Sequence, residues 1–254
     1  MLKFRNITVL FILALWFMVG GSVMYGYSHL VGSIIFATIV YSLIVTWGVT
    51  RIHSQMFVPT FNSNKHAKDK IAITFDDGPD EKNTEKILDL LKEYNAKASF
   101  FIIGNKIAKH KTIVERIHAE GHLIGNHSFS HKNTFSIMNS KKITQEISDA
   151  KQAIEEITGK ECIYFRPPFG ITNPLIAKAL QRFKLKTIGW SIRTLDTLNA
   201  PSKDVVDRIA KRVRSGEIIL VHDTSDEILD IVKRLLDLAK ERHLKVVTVE
   251  ELMK

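Results

Sequence analysis

The hydrophobic pattern divides the chain into two unlike parts. Ile7 to about Tyr27, and Leu30 to about Val49, are almost unbroken apolar runs, and Asn6 to Thr50 holds no Asp, Glu, Lys or Arg. Each run is about 20 residues, the length at which a helix spans a hydrocarbon core of about 30 Å. The break falls at Gly26, Ser28, His29 and Gly32, flanked by Tyr25, Tyr27, Tyr41 and Trp47, which suit the water interface. Residues 1–50 are therefore expected to form a hairpin of two transmembrane helices, held in lipid through residues 7–49. The alternative is a signal peptide led by Lys3 and Arg5 and ending near Gly20, Gly21 and Ser22. No small-x-small cleavage pattern follows the run, which favours the hairpin.

Beyond it the rhythm changes. Residues 51–69, with Pro59, Asn62, Ser63 and Asn64, have no period and read as a linker. From Lys70 onward short apolar runs alternate with amphipathic stretches. Strands are expected at Lys70–Phe75, Ala98–Ile103, His122–Gly125, Ile163–Phe165, Lys186–Trp190, Ile218–Val221 and Lys245–Val247. Helices are expected at Glu81–Tyr94, Ile107–Glu120, Ser140–Thr158, Asn173–Phe183, Ser202–Arg214 and Glu227–Glu241. Strict βα alternation predicts a parallel sheet covered by helices in one catalytic domain, residues 70–254. At this size a closed barrel is favoured over an open doubly wound sheet.

Charge refines the picture. The 254 residues carry 36 Lys and Arg against 27 Asp and Glu, +9 overall, with +3 before residue 60 and +6 after it. No basic run with interleaved aromatics appears, so nucleic acid is not an expected partner. Basic residues flank the hairpin at Lys3, Arg5 and Arg51 and are absent from its short connection, a bias that places both ends in the cytoplasm. The single cysteine, Cys162, cannot form an internal bridge.

In parallel α/β folds the chemistry gathers where strands run into loops. Here those loops read Thr74-Phe75-Asp76-Asp77-Gly78-Pro79, Asn126-His127-Ser128-Phe129-Ser130-His131, Arg166-Pro167-Pro168-Phe169-Gly170, Trp190-Ser191-Ile192-Arg193-Thr194-Leu195-Asp196 and Leu220-Val221-His222-Asp223. Each alone has an ordinary explanation in turn chemistry or partial exposure. Together they set carboxylates, histidines and an arginine on one rim. A carboxylate and two imidazoles suit Zn²⁺ or a similar ion and leave a position for water, whose pKa such an ion lowers to about 7. The His127/His131 spacing suggests two rings on one side of a helical turn. A second carboxylate is then free as general base and a further histidine as acid. That is apparatus for metal-assisted hydrolysis of a carbonyl compound.

These motifs, in this order, resemble the polysaccharide deacetylases, the carbohydrate esterase family 4, over about residues 68–253. The resemblance implies a distorted (β/α)7 barrel that removes acetyl groups from N-acetylated glycans such as chitin fragments or peptidoglycan sugars, using Zn²⁺ first, with Co²⁺, Ni²⁺ or Mn²⁺ as alternatives. It implies Asp77, His127 and His131 as metal ligands, Asp76 as base and His222 as acid. Arg166 would hold Asp76 through a charged, bidentate contact. The backbone of Phe169 would face the oxyanion, and Trp190 and Leu220 would shape the pocket for the acetyl methyl. The pattern departs at Phe169, where the family has Tyr, at Arg193, where it has Asp, and at Thr197, where it has Trp. Asp196 is then the nearest acidic support for His222, and Arg193 a substrate contact. The catalytic domain is expected to be monomeric. An O-acetyl esterase and a sugar-binding relative without turnover are the rival readings. Family habit places the domain outside the cytoplasm, against the charge bias.

Overall fold

The structure, a computed structural model, describes residues 3–25, 29–198 and 200–254. Two helices, α1 (Phe4–Tyr25) and α2 (Leu30–Thr50), are long and apolar enough to cross a membrane. They pack on each other through Phe11 stacked on Tyr41 at 4.3 Å and a 3.0 Å hydrogen bond between the Thr8 and Tyr41 hydroxyls. The break expected at Gly26, Tyr27 and Ser28 lies outside the described residues.

The remainder alternates: β1 (Lys70–Asp76), α3 (Thr84–Glu93), β2 (Ser99–Ile102), α4 (Lys111–Ala119), β3 (Leu123–Asn126), α5 (Ser140–Thr158), β4 (Tyr164–Phe165), α6 (Pro174–Leu180), β5 (Lys186–Thr187), β6 (Ile192–Arg193), α7 (Ser202–Ala210), β7 (Ile218–His222), α8 (Ile228–Glu241), β8 (Lys245–Val246) and α9 (Val249–Leu252). All strand pairs are parallel, in the order β5-β4-β3-β2-β1-β7-β6, and β8 joins only Lys70 and Ile71 of β1. The sheet curls into the expected distorted (β/α)7 barrel. One strand was not expected: Ile192 and Arg193, read as loop, pair with Ile219 and Leu220. Two residues are too few to show a period of two.

Helix boundaries follow local chemistry. The Asn139 side chain accepts the Lys142 N–H at the start of α5, and Gly159, at φ 64°, ends it. Between them Ile143, Ile147, Ala150 and Ile154 fall on one buried stripe. The strands alternate with period two. On β1, Ile71, Ile73 and Phe75 pack outward beneath the helices, as do Ile219 and Val221 on β7. Ala72, Ile218 and Leu220 face the barrel interior with Phe101, Tyr164, Ile188 and Trp190. Extending that alternation points Thr74 and Asp76 on β1, and His222 on β7, toward the interior at the strands' C-terminal ends.

Among the described residues β5 and β6 are not paired, so the barrel has a seam. Residues 51–64, within the stretch read as a linker, run along it. Ile52 is buried beside Ile188 and Trp190, and Thr60 bonds the Ile52 carbonyl at 3.0 Å. The Phe61 N–H reaches Thr187 O, the Gly189 N–H reaches Phe61 O, both at 2.9 Å, and Asn64 N–H reaches Gly216 O across the gap. The fit is close: a Cβ at Gly216 would lie 1.9 Å from Asn64 O, and at Gly189 1.9 Å from Asn62 Oδ1.

Candidate active site

Every residue singled out in the motif loops converges at the C-terminal end of the barrel. Asp76, Asp77, His127, His131, Phe169, Trp190, Arg193, Leu220 and His222 line one pocket. Arg166 and Asp196 lie behind it, bonded to Asp76 and His222. Asp76 and His222 are register partners on β1 and β7, so the residues expected to serve as base and acid are cross-strand neighbours.

Arg166 is fully buried between the Phe101 ring, 4.1 Å from its guanidinium carbon, and Trp190 at 5.7 Å. Such a charge is tolerable only when its donors are met. Nη1 donates to Asp76 Oδ1 at 2.7 Å and to Thr74 Oγ1 at 2.8 Å, Nη2 to Gly189 O at 2.7 Å, and Nε to Ile188 O at 3.3 Å. The expected bidentate grip on Asp76 is therefore a single bond. Thr74, whose hydroxyl donates to Ile219 O, takes the second place, so Asp76 Oδ2 stays free on the His127 side.

Asp77, His127 and His131 offer ligand atoms all within 4.8 Å of one another. His127 Nε2 is 3.4 Å and His131 Nε2 3.2 Å from Asp77 Oδ1. The two rings do not share a helical turn as expected. Ser128 (φ 66°) and His131 (φ 47°) are left-handed, and so is Asp77 (φ 72°). Backbone in this region costs roughly 1–3 kcal/mol per residue and persists only when neighbours enforce it. Here the neighbours are visible. The Asn126 amide oxygen accepts Ser128 N–H, Glu146 accepts both the N–H and hydroxyl of Ser130 at 2.7 Å, and Lys106 Nζ holds the Asp77 carbonyl at 2.7 Å. None of these three was singled out in the sequence; Glu146 and Lys106 are remote in the chain, and only Asn126, beside His127, stood in a quoted motif.

A divalent ion fits this donor set. His127 Nδ1 sits 2.8 Å from Arg166 O, which can only accept, so Nδ1 carries hydrogen and a neutral ring turns its Nε2 lone pair toward Asp77. Asp77 Oδ1 and His131 Nε2 are shielded from solvent without a hydrogen-bond partner. Burial works against charge on Asp77, yet the His127 and His131 rings hold its carboxyl below the usual carboxylate range. Burial, then the charge of His127, lowers the pKa of His131.

Opposite lies His222. One carboxylate holds it twice: Asp196 Oδ2 accepts its N–H at 2.7 Å and Asp196 Oδ1 faces Nδ1 at 3.0 Å. Burial lowers the pKa of His222, but the bond to Asp196 and the charges of Asp196, Asp76 and Asp77 outweigh it, and the net shift is upward. The Thr194 hydroxyl lies 2.7 Å from Asp196 Oδ1 and was also missed in the sequence. Next to His222, buried Asp223 ties the end of β7 to the start of α3: its Oδ2 accepts the Thr84 hydroxyl at 2.7 Å and its carbonyl accepts the Asn83 amide. Burial pushes its pKa up to about 7. Phe169, left-handed at φ 60°, sets its ring 4.8 Å from that of His131. A Cβ on Gly170, φ 68°, would strike the Trp190 ring at 2.3 Å, so glycine is required for the pocket wall to close.

Residues 63–188 match the family model described as polysaccharide deacetylase. A peptidoglycan-N-acetylglucosamine deacetylase of Bacillus cereus is 36% identical over 190 residues, covering 72% of this chain and 88% of that protein. The chain belongs to the polysaccharide deacetylase family. It is also similar to the peptidoglycan-N-acetylmuramic acid deacetylase PdaC of Bacillus subtilis, 33% identical over 186 residues, which are 72% of this chain and 38% of that one. The solved structure of peptidoglycan deacetylase PdaC matches with a TM-score of 0.69 at 30% identity, covering 75% of this chain and 92% of that chain. The fold and the hydrolytic deacetylase activity expected from the motifs are thus those of the polysaccharide deacetylases to which it belongs.

Proposed function

We propose that this deacetylase is a membrane-anchored, metal-dependent enzyme that removes the N-acetyl group from an amino sugar of a peptidoglycan-like glycan. The observation that carries the reading is one pocket holding a two-histidine, one-carboxylate donor set on one side and a carboxylate-paired histidine on the other, with Asp76 between them. Relatives acting on peptidoglycan N-acetylglucosamine and N-acetylmuramic acid support the substrate class. The apolar α1, charged only at Arg5 in its first turn, and the uncharged α2, whose Trp16, Phe17, Val23 and Phe36 side chains point away from the protein, support the anchor.

Zn²⁺ or a similar ion held by Asp77, His127 and His131 would supply Lewis acidity and a more acidic water. The chain's own residues do the rest. Asp76, oriented through Oδ1 by Arg166, accepts a proton from the attacking water at its free Oδ2. The Phe169 N–H donates to the acetyl oxygen as charge builds there. Trp190 and Leu220 bound the methyl. His222, kept protonated by Asp196, gives its proton to the departing amine, so acetate and a free amino sugar leave. Arg193, exposed on the rim, contacts the sugar.

The test is acetate release from matched N-acetyl and O-acetyl glycans, with and without chelator. Release from N-acetyl substrates that stops on chelation and returns with Zn²⁺ is expected. Release unaffected by chelation overturns the metal assignment, and release from O-acetyl substrates alone overturns the amide assignment.

A further inference from the structure

Outside α1 and α2, the described residues leave four large apolar side chains exposed: Ile137 at 78%, Phe169 at 45%, Leu175 at 40% and Leu198 at 67%. Scattered exposed apolar residues need no explanation, but these are not scattered. Ile137 follows β3, Phe169 and Leu175 follow β4, and Leu198 follows β6. All four stand at the C-terminal ends of the strands, around the catalytic pocket. The opposite end of the barrel carries none.

The same end receives the membrane hairpin. The Val49 carbonyl, in the last turn of α2, accepts the Thr172 N–H at 3.2 Å, two residues beyond Gly170 of the pocket. Asn173 reaches Ser136 O at 2.5 Å, and Ser136 is next to Ile137. Ile52, two residues past α2, is buried against the wall that Trp190 forms, and the His53 ring meets Trp190 edge-on at 6.4 Å. The start of α1 returns to the same place, with Phe4 N–H on Met56 O and the Phe4 ring 5.1 Å from that of Phe57. The hydrocarbon boundary therefore falls at Thr50, with exposed Arg51 at headgroup level. The interfacial layer beyond it is roughly 6 Å deep on each side, and the pocket rim, linked to α2 by the Thr172–Val49 hydrogen bond, lies in or against it.

One charge faces this arrangement. Arg193 lines the pocket, is exposed, and has no hydrogen-bond or ion-pair partner among the described residues. A free guanidinium at a membrane surface suits phosphate.

We infer that the catalytic mouth faces the bilayer and takes an N-acetylated amino sugar carried on a lipid through a phosphate link, with Ile137, Leu175 and Leu198 seated in the interface and Arg193 on the phosphate. The inference rests on the anchored-deacetylase reading above and narrows its substrate from glycan polymer to lipid-carried sugar. Apolar side chains in the interface would bring the mouth to substrates that cannot leave the membrane.

The test uses the full chain in phosphatidylcholine vesicles with three substrates of one sugar: a soluble N-acetylglucosamine oligosaccharide, a neutral long-chain alkyl N-acetylglucosaminide, and N-acetylglucosamine 1-phosphate esterified to a long prenyl chain. The phosphate-linked lipid is expected to give a kcat/KM about 10-fold or more above the other two. Arg193→Gln is expected to remove about that preference, lowering use of the phosphate-linked lipid by about 10-fold beyond any loss shared by all three substrates through the sugar contact. The combined variant Ile137→Ser, Leu175→Ser and Leu198→Ser, all at exposed positions where folding is little affected, is expected to lower turnover of both lipid substrates and leave the soluble one unchanged. Equal or better use of the soluble or neutral substrate by the unaltered chain overturns the inference but not the deacetylase reading; no acetate from any of the three overturns both. An independent measurement is nitroxide depth. Cys162 is buried, so single labels at Ile137→Cys, Leu198→Cys and, at the far end of α8, Glu241→Cys report cleanly. Labels at 137 and 198 are expected to be shielded from a water-soluble nickel chelate and reached by oxygen, with the reverse at 241. Equal chelate access at all three sites overturns the membrane-facing mouth.

Discussion

The two flanks of the site hold their groups by opposite means. Asp77, His127 and His131 come from loops whose backbone is left-handed at Asp77, Ser128 and His131 and is enforced by Asn126, Glu146 and Lys106. His222 sits on a strand end, needs no strained backbone, and is fixed by both oxygens of Asp196. The difference follows from the task. Three donors must approach within a few ångströms of one another, which the regular ends of β1 and β3, two spacings of about 4.7–4.9 Å apart with β2 between them, do not deliver. A proton donor needs only one ring aimed correctly, and strand register with a single carboxylate suffices.

The contrast can be broken most strongly at the donor set. His131→Ala is expected to lower kcat/KM about 10³-fold, roughly 4 kcal/mol, with loss of bound metal by elemental analysis. An unchanged metal stoichiometry would remove His131 from the ligand set. Next comes the acid flank. Asp196→Asn is expected to cost about 10²-fold while metal content stays constant. Asp196 raises the His222 pKa, and in the proposed mechanism His222 must be protonated to act, so removing the charge is expected to move the descending alkaline limb of the pH–rate profile to lower pH. A profile that does not move would detach Asp196 from the acid. Third, Glu146→Ala releases the Ser130 loop and is expected to weaken metal affinity about 10-fold, the usual scale for groups that orient ligands, without moving that alkaline limb.

The smallest effect lies beneath both flanks. Asp223 is an acid whose folded pKa, about 7, lies above the ordinary 3.8, so the stability it contributes is complete below about pH 4 and declines as pH rises toward 7. Asp223→Asn keeps an acceptor for Thr84 and removes this titration. The variant's Tm relative to the unaltered chain is expected to be higher at pH 8 than at pH 5; a difference independent of pH would show that the buried carboxyl does not titrate there.

How much of this was readable in advance depends on range along the chain. Asp76, Asp77, His127, His131, Arg166 and His222 were legible because each ends or follows a strand, and strand order places those ends together. What escaped depends on single dihedrals or distant partners. The His127/His131 spacing mimics a helix, and only the left-handed backbone at Ser128 and His131 undoes that reading. Arg166 was matched to Asp76 alone because its second acceptor, Thr74, is a strand residue with an ordinary β-type side chain. The seam segment was opaque for a different reason: its hydrogen bonds go to Thr187, Gly189, Gly216 and Leu252, and nothing within residues 51–64 signals them.

That segment has a consequence for how such an enzyme can be deployed. The chain between α2 and β1 is at once the link to the two apolar helices and the stave that fills the gap in the barrel. A proteolytic cut near Pro59 would not release an intact barrel, because the piece left with α2 carries Ile52, which backs Trp190. With the anchor proposed above, attachment and an intact pocket wall share one joint, so the protein would stay where it is inserted.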